Sequence, residues 1–291
     1  MEMTRGRVFA RGCALLAALF SLTVYVSAQE MSAHHHMESG NNPELVQDWA
    51  KARLAKSPRH QEWVKVKYGN REVNSFIVFP EVKNKATAVV VIHEIFGLSD
   101  WVQSLTDELA EAGYIAIAPD LLSGMGPGGG GSSSFDNTKV REAISNLPPD
   151  QVTADLNAVA DYVSKLPAAN GKVAIGGFCW GGGQTFRFAT NRANLKAAFV
   201  FYGPPPPTES MSKISAPVYG FYGGNDARIT ATVPATTEAM KAAGKKYDPV
   251  IYEGAGHGFM RSGEDPTDKN PANKKARDEA WERWKKVLAA L

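Results

Sequence analysis

Cysteine is nearly absent from this chain of 291 residues: there are two, Cys13 and Cys179. A disulfide framework is therefore excluded as the source of stability. An excess of one charge is lacking too. Lysine plus arginine number 32 against 30 aspartates and glutamates, for a net charge of +2, and without Glu2, Arg5, Arg7 and Arg11 the remainder is neutral. A neutral body offers no surface that tracks phosphates, which argues against nucleic acid as a partner. Long apolar runs are missing as well, since the run from Cys13 to Val26 falls short of the roughly 20 residues of a transmembrane helix. What remains is 44% hydrophobic, 10% aromatic and 21% charged, close to the globular average and sufficient for a large core.

The short apolar run follows Arg5, Arg7 and Arg11 and ends in the small residues Val26-Ser27-Ala28, the pattern of an export signal cleaved after Ala28, with a retained anchor as the alternative. Residues 1–28 thus read as a signal peptide and the rest as an exported protein, periplasmic or secreted, with no membrane contact after cleavage. Cys13 precedes the run rather than following it, which argues against a lipoprotein. It would leave with the signal, and Cys179 would remain alone in an oxidising compartment, where a thiol must be buried or used. Residues 29–42, with His34-His35-His36, lack apolar periodicity and read as a flexible, solvated tail. Residues 43–60 read as a helical extension, because Leu45, Val46, Trp49, Ala50 and Leu54 recur at helical spacing.

From residue 61 to 291, short β-branched runs alternate with amphipathic stretches, the pattern of a mostly parallel sheet covered by helices on both faces. The expected strands are Val64–Tyr68, Val73–Phe79, Ala88–His93, Tyr114–Pro119, Lys172–Phe178, Ala197–Tyr202, Val218–Tyr222 and Pro249–Tyr252. The first two should form an antiparallel hairpin about Gly69-Asn70. Helices are expected over Leu98–Ala112, Pro149–Lys165, Gly181–Arg192, Ala231–Ala243 and Lys269–Leu291. Two pieces interrupt this α/β pattern. The glycine-rich stretch from Gly124 to Ser134 reads as a mobile loop; it lacks the lysine and spacing of a phosphate cradle. Pro204–Pro207 reads as a stiff turn. Both follow strands, at the edge where open α/β sheets bind ligands.

Chemistry concentrates at that edge. Gly177-Phe178-Cys179-Trp180-Gly181 joins an apolar strand to a helix, which is a cysteine version of the nucleophile elbow. The helix start at the thiol favours thiolate on dipole grounds. Asp226 and His257 follow in the order nucleophile, acid, base, each in a glycine-rich turn just past a strand. An imidazole so placed can accept the thiol proton while the carboxylate fixes its tautomer. Glu94, in Val91-Ile92-His93-Glu94-Ile95-Phe96-Gly97, stands where an oxyanion loop belongs, and the backbone N–H groups of Ile95 and Trp180 are the expected oxyanion donors. The alternative for Glu94 is a cap on the following helix. His60 reads as a surface residue.

With these motifs on the page, the chain from about residue 62 onward resembles the dienelactone hydrolase family. The resemblance rests on His-Glu-Ile-Phe-Gly at 93–97, Gly-Phe-Cys-Trp-Gly at 177–181, the Asp226 turn and Gly-His-Gly-Phe-Met-Arg at 256–261. It implies an α/β-hydrolase fold with an eight-stranded, mostly parallel sheet. It also implies Cys179 as nucleophile, His257 as base, Asp226 as orienter, and Glu94 as holder of the resting thiol proton. Two family arginines bind a substrate carboxylate; they would correspond to Arg261 and to Arg141, although Arg141 reads equally well as a solvated surface residue. The implied function is hydrolysis of a small lactone or carboxylic ester through an acyl-cysteine, without metal or organic cofactor. Competing readings are a thioesterase or general esterase with the same triad, and a non-catalytic ligand-binding or oxidant-sensing relative.

The export reading yields the first prediction. Protein purified from its native host should begin at or near Gln29, as read by N-terminal sequencing or intact mass, and an intact Met1 terminus would refute it.

Overall fold

The β-branched runs become strands of one sheet. The computed structural model describes residues 46–291; the signal segment, the tail with His34–His36 and the first residues of the extension lie outside them. Strands β1 (Gln61–Tyr68), β2 (Arg71–Val78), β3 (Ala86–Ile92), β4 (Ile115–Pro119), β5 (Ala169–Phe178), β6 (Ala198–Phe201), β7 (Val218–Gly223) and β8 (Tyr247–Tyr252) lie in the order β1-β2-β4-β3-β5-β6-β7-β8. The β1–β2 hairpin and the β2–β4 pair are antiparallel, and all later pairs are parallel. Along β3, Val90 and Ile92 enter one hydrophobic cluster, and Val89 and Val91 enter another on the opposite face. Successive side chains of a strand point to opposite faces, so a strand that is apolar on both must lie inside a doubly covered sheet.

The helices supply the two covers. They are α1 (Asp48–Leu54), α2 (Asp100–Glu111), α3 (Asn137–Ser145), α4 (Pro149–Ser164), α5 (Trp180–Ala189), α6 (Ala227–Thr230), α7 (Val233–Ala242), α8 (Phe259–Ser262) and α9 (Pro271–Ala289). Leu156, Val159, Phe186 and Met240 bring α4, α5 and α7 onto one face. Ala50, Trp101, Leu105 and Trp284 bring α1, α2 and α9 onto the other. The expected strands and long helices are all present, with ends displaced by a few residues.

Two features differ from expectation. Helix α3 went unread because Val140 and Ile144 are its fully buried apolar side chains, a stripe too thin to register as periodicity. Its start is fixed locally, since the Asp136 side chain accepts from the Lys139 N–H at 2.9 Å. The glycine-rich stretch is anchored rather than free. It forms two 3₁₀ turns, Pro127–Gly129 and Ser132–Ser134, and Ser132 is buried. The Ser132 N–H and Oγ donate to Asp120 at 2.7 and 2.6 Å, while Ser132 Oγ accepts from the Leu98 N–H at 3.3 Å. A buried carboxylate must be hydrogen-bonded, and here meeting that need ties the stretch to the loop that follows β3.

A second buried carboxylate fastens the hairpin edge. Asp155 of α4 is fully buried and accepts from Arg71 of β2 at 2.8 and 2.9 Å and from the Tyr68 hydroxyl. Arg71 also donates to the Ser123 carbonyl at 2.8 Å. Replacing Arg71 with Met should strand the Asp155 charge and lower stability by about 3–5 kcal/mol. A urea unfolding midpoint equal to that of the unaltered protein would contradict this.

Candidate active site

The elbow is built by close packing. Cys179 sits between β5 and α5 with φ 55° and ψ −117°, a conformation that costs a residue with a side chain about 1–3 kcal/mol and persists only where its surroundings impose it. They do so here. The Cys179 N–H donates to the Phe201 carbonyl at 3.1 Å, and its carbonyl accepts from the Gly183 N–H at 3.2 Å. A Cβ on Gly177 would lie 2.3 Å from the Gly181 carbonyl oxygen, and one on Gly181 would lie 2.3 Å from the His93 carbonyl oxygen. Both glycines of the motif are therefore required by the approach of backbone to backbone. The second contact also presses the end of β3, and with it Glu94, against the elbow.

The remaining motif residues converge on the same sheet edge. His257 Nδ1 lies 2.5 Å from Asp226 Oδ2, with Asp226 buried and His257 about one-third exposed. Glu94 is 2% exposed and accepts from Arg261 Nε at 2.8 Å. It does not cap α2; the Ser99 side chain does, accepting from the Val102 N–H. The backbone N–H groups of Ile95 and Trp180 both reach the Cys179 thiol and act to lower its pKa. Among the described residues no hydrogen bond joins the thiol to His257.

The thiol is not the thiolate that the helix start suggested. Burial, and after it the negative charge of Glu94, push Cys179 up to about 11, against the backbone N–H groups and the positive charge of Arg228. In a dry site, burial and a buried carboxylate outweigh the half-charge of a helix end.

The two arginines border one ring, and Arg141 is itself exposed. Arg261 lies 5.3 Å from the centre of the Phe96 ring and Arg141 lies 4.8 Å from it, so both guanidiniums gather on one aromatic platform. Phe96 had been read only as part of the motif. Tyr202, just past β6, was missed altogether. It has φ 39°, its ring lies 5.1 Å from that of His257, and its buried hydroxyl has no hydrogen-bond partner among the described residues. Burial, followed by the Glu94 charge, raises its pKa well above the usual tyrosine value. Its place before Gly203 at a central strand end was the available signal. His93 is buried, and desolvation lowers its pKa; it lies 2.8 Å from the Glu94 carbonyl oxygen and stacks on Trp180. His60 is exposed, as expected.

Comparison with known proteins gives the class. The model of the dienelactone hydrolase family matches residues 73–291, and the chain belongs to that family. It is thereby an ester-bond hydrolase with the α/β-hydrolase fold. A protein of Methylorubrum extorquens provisionally assigned as a carboxymethylenebutenolidase is 32% identical over 210 residues, covering 67% of this chain and 71% of its own. Another from Saccharolobus solfataricus, with the same provisional assignment, is 30% identical over 252 residues, covering 75% and 93%. The crystal structure of a Klebsiella pneumoniae protein, provisionally assigned as a dienelactone hydrolase, superposes with a TM-score of 0.70 at 27% identity. It covers 80% of this chain and 99% of that one.

The electrostatics of the thiol give a test. Alkylation of Cys179 by iodoacetamide should keep accelerating with pH toward about 11. Glu94→Gln removes a nearby negative charge and so should move the profile to lower pH. An unmoved midpoint would take Glu94 out of the field at the thiol.

Proposed function

We propose that the chain hydrolyses a small lactone or carboxylic ester that carries a carboxylate, through an acyl intermediate on Cys179. The observation that carries this reading is the Asp226–His257 pair at 2.5 Å on the same edge as a cysteine elbow whose thiol faces two backbone donors. Arg261 and Arg141 about Phe96 support an anionic substrate. The N-terminal arginines and apolar run support a reaction outside the cytoplasm.

In the resting site Arg261 occupies Glu94, and Glu94 opposes ionisation of the thiol. A substrate carboxylate competes for Arg261 and leaves Glu94 as the acceptor of the thiol proton. The thiolate adds to the acyl carbon, and the N–H groups of Ile95 and Trp180 bind the oxyanion. The carbon–oxygen bond of the ester then breaks, and the leaving oxygen takes the proton held by Glu94. His257, oriented by Asp226, removes a proton from water, the hydroxide displaces the sulfur, and the imidazolium returns the proton to Cys179. Nucleophile activation is thus tied to substrate binding, which spares an exported thiol from oxidation while the site is empty.

Cys179→Ala and His257→Ala should each abolish turnover with the fold intact, and Asp226→Asn should leave slow turnover. Substantial hydrolysis by Cys179→Ala would sink the mechanism. Arg261→Ala should cost carboxylated substrates about 1.5–3 kcal/mol more in kcat/KM than neutral analogues, which should lose only what the uncompensated Glu94 charge costs the thiol. Equal losses for both would remove Arg261 from substrate recognition.

A further inference from the structure

Four charged side chains form a ring that spans three helices and one turn. Arg53 of α1 donates to Glu108 of α2 and to Glu264, each at 2.6 Å. Arg277 of α9 donates to the same two carboxylates at 2.5 and 3.0 Å. Arg53 Nε also donates to Ser104 Oγ at 2.7 Å. Glu264 is 5% exposed, and burial together with the Glu264 charge pushes Glu108 up to about 7. Two largely buried carboxylates this close are held together by the two guanidiniums that bridge them.

The ring matters because of where its carboxylates lead. Glu94 opens the loop that runs through Ser99 into α2, which carries Glu108. Arg261 is on α8, and its carbonyl accepts from the Glu264 N–H at 3.1 Å. Each half of the Glu94–Arg261 pair is thus continued by a segment that Arg53 holds. Arg53 itself precedes residues 73–291, the part that matches the family model. Further ties from the same segment reach α2. Arg59 and Ser57 bind Asp107 at 2.5 and 2.6 Å, and Gln47 accepts from the Trp101 N–H at 3.0 Å.

We propose that Arg53 is a positioning residue: by clamping Glu108 to Glu264 it sets the Glu94–Arg261 contact, and the N-terminal extension thereby tunes the thiol and the anion preference of the site. This rests on the roles of Glu94 and Arg261 given above. Without Arg53 the α8 turn is held by Arg277 alone, the Glu94–Arg261 pair loosens, and the uncompensated Glu94 charge holds the Cys179 proton more tightly.

The test uses the full chain and follows alkylation of the Cys179 peptide by mass spectrometry, with neutral iodoacetamide and anionic iodoacetate as probes. Arg53→Gln should move the iodoacetamide profile to higher pH, slowing the reaction at fixed pH by about threefold to tenfold, as expected for a residue that modulates a pair without touching the ligand. It should also lower the ratio of iodoacetate to iodoacetamide rates. Arg59→Gln removes a tie of the same extension but spares Glu264, and should leave both readouts unchanged. Unaltered profile and ratio in Arg53→Gln, or equal shifts in Arg59→Gln, would overturn the proposal. If Arg53→Gln does not fold, Arg53→Lys, which keeps the charge but loses the fork that bridges two carboxylates, should shift both readouts in the same direction. Hydrolysis by Cys179→Ala would unseat the hydrolytic mechanism while leaving these alkylation profiles to decide the role of Arg53.

Discussion

A carboxylate buried beside a thiol is the constraint around which this site is arranged. Glu94 is nearly inaccessible, and an ionised group so placed must be compensated. Arg261 compensates it at 2.8 Å, and Arg261 is in turn stacked on Phe96 and carried on the short helix α8, whose following turn is braced by Arg53 and Arg277. Burial, and after it the Glu94 charge, raise the pKa of the resting thiol, and Arg261 compensates that charge.

Delivery of these groups to one place follows from sheet topology. Because β3, β5, β7 and β8 run parallel, the loops bearing Glu94, Cys179, Asp226 and His257 leave the sheet at the same edge. Residues up to 163 positions apart in sequence, 94 and 257, are thereby brought to one end of the sheet, the general behaviour of open α/β sheets. Central β3 and β5 are apolar on both faces and covered by helices from both sides, so the site stands on fully buried strands.

Much of this was legible in the chain. The strands and main helices follow from periodicity, because a period of two and one of 3.6 leave distinct traces. The elbow and the Asp226–His257 pair were legible because an elbow needs glycines at fixed offsets and the two partners lie just past strands. The contacts at Gly177 and Gly181 show why those letters could be read with confidence: close backbone approach admits no other residue. Helix α3, the anchoring of Ser132 and the packing of Tyr202 on His257 were not legible, since each depends on a partner distant in sequence, namely the core for Val140 and Ile144, Asp120 for Ser132, and His257 for Tyr202.

The thiol marks the boundary most sharply. By itself the sequence determined which residue is the elbow cysteine and that a helix begins there, and from this a lowered pKa follows. Only the tertiary structure decided the opposite, that the resting thiol is pushed up to about 11, and only it brought Arg141 and Arg261 to one ring and Arg53 to Glu264. The physical reason is that motifs and periodicities are local and written in residue order. Burial and the fields of distant charges are sums over the whole fold, and they exist only once the chain has closed on itself.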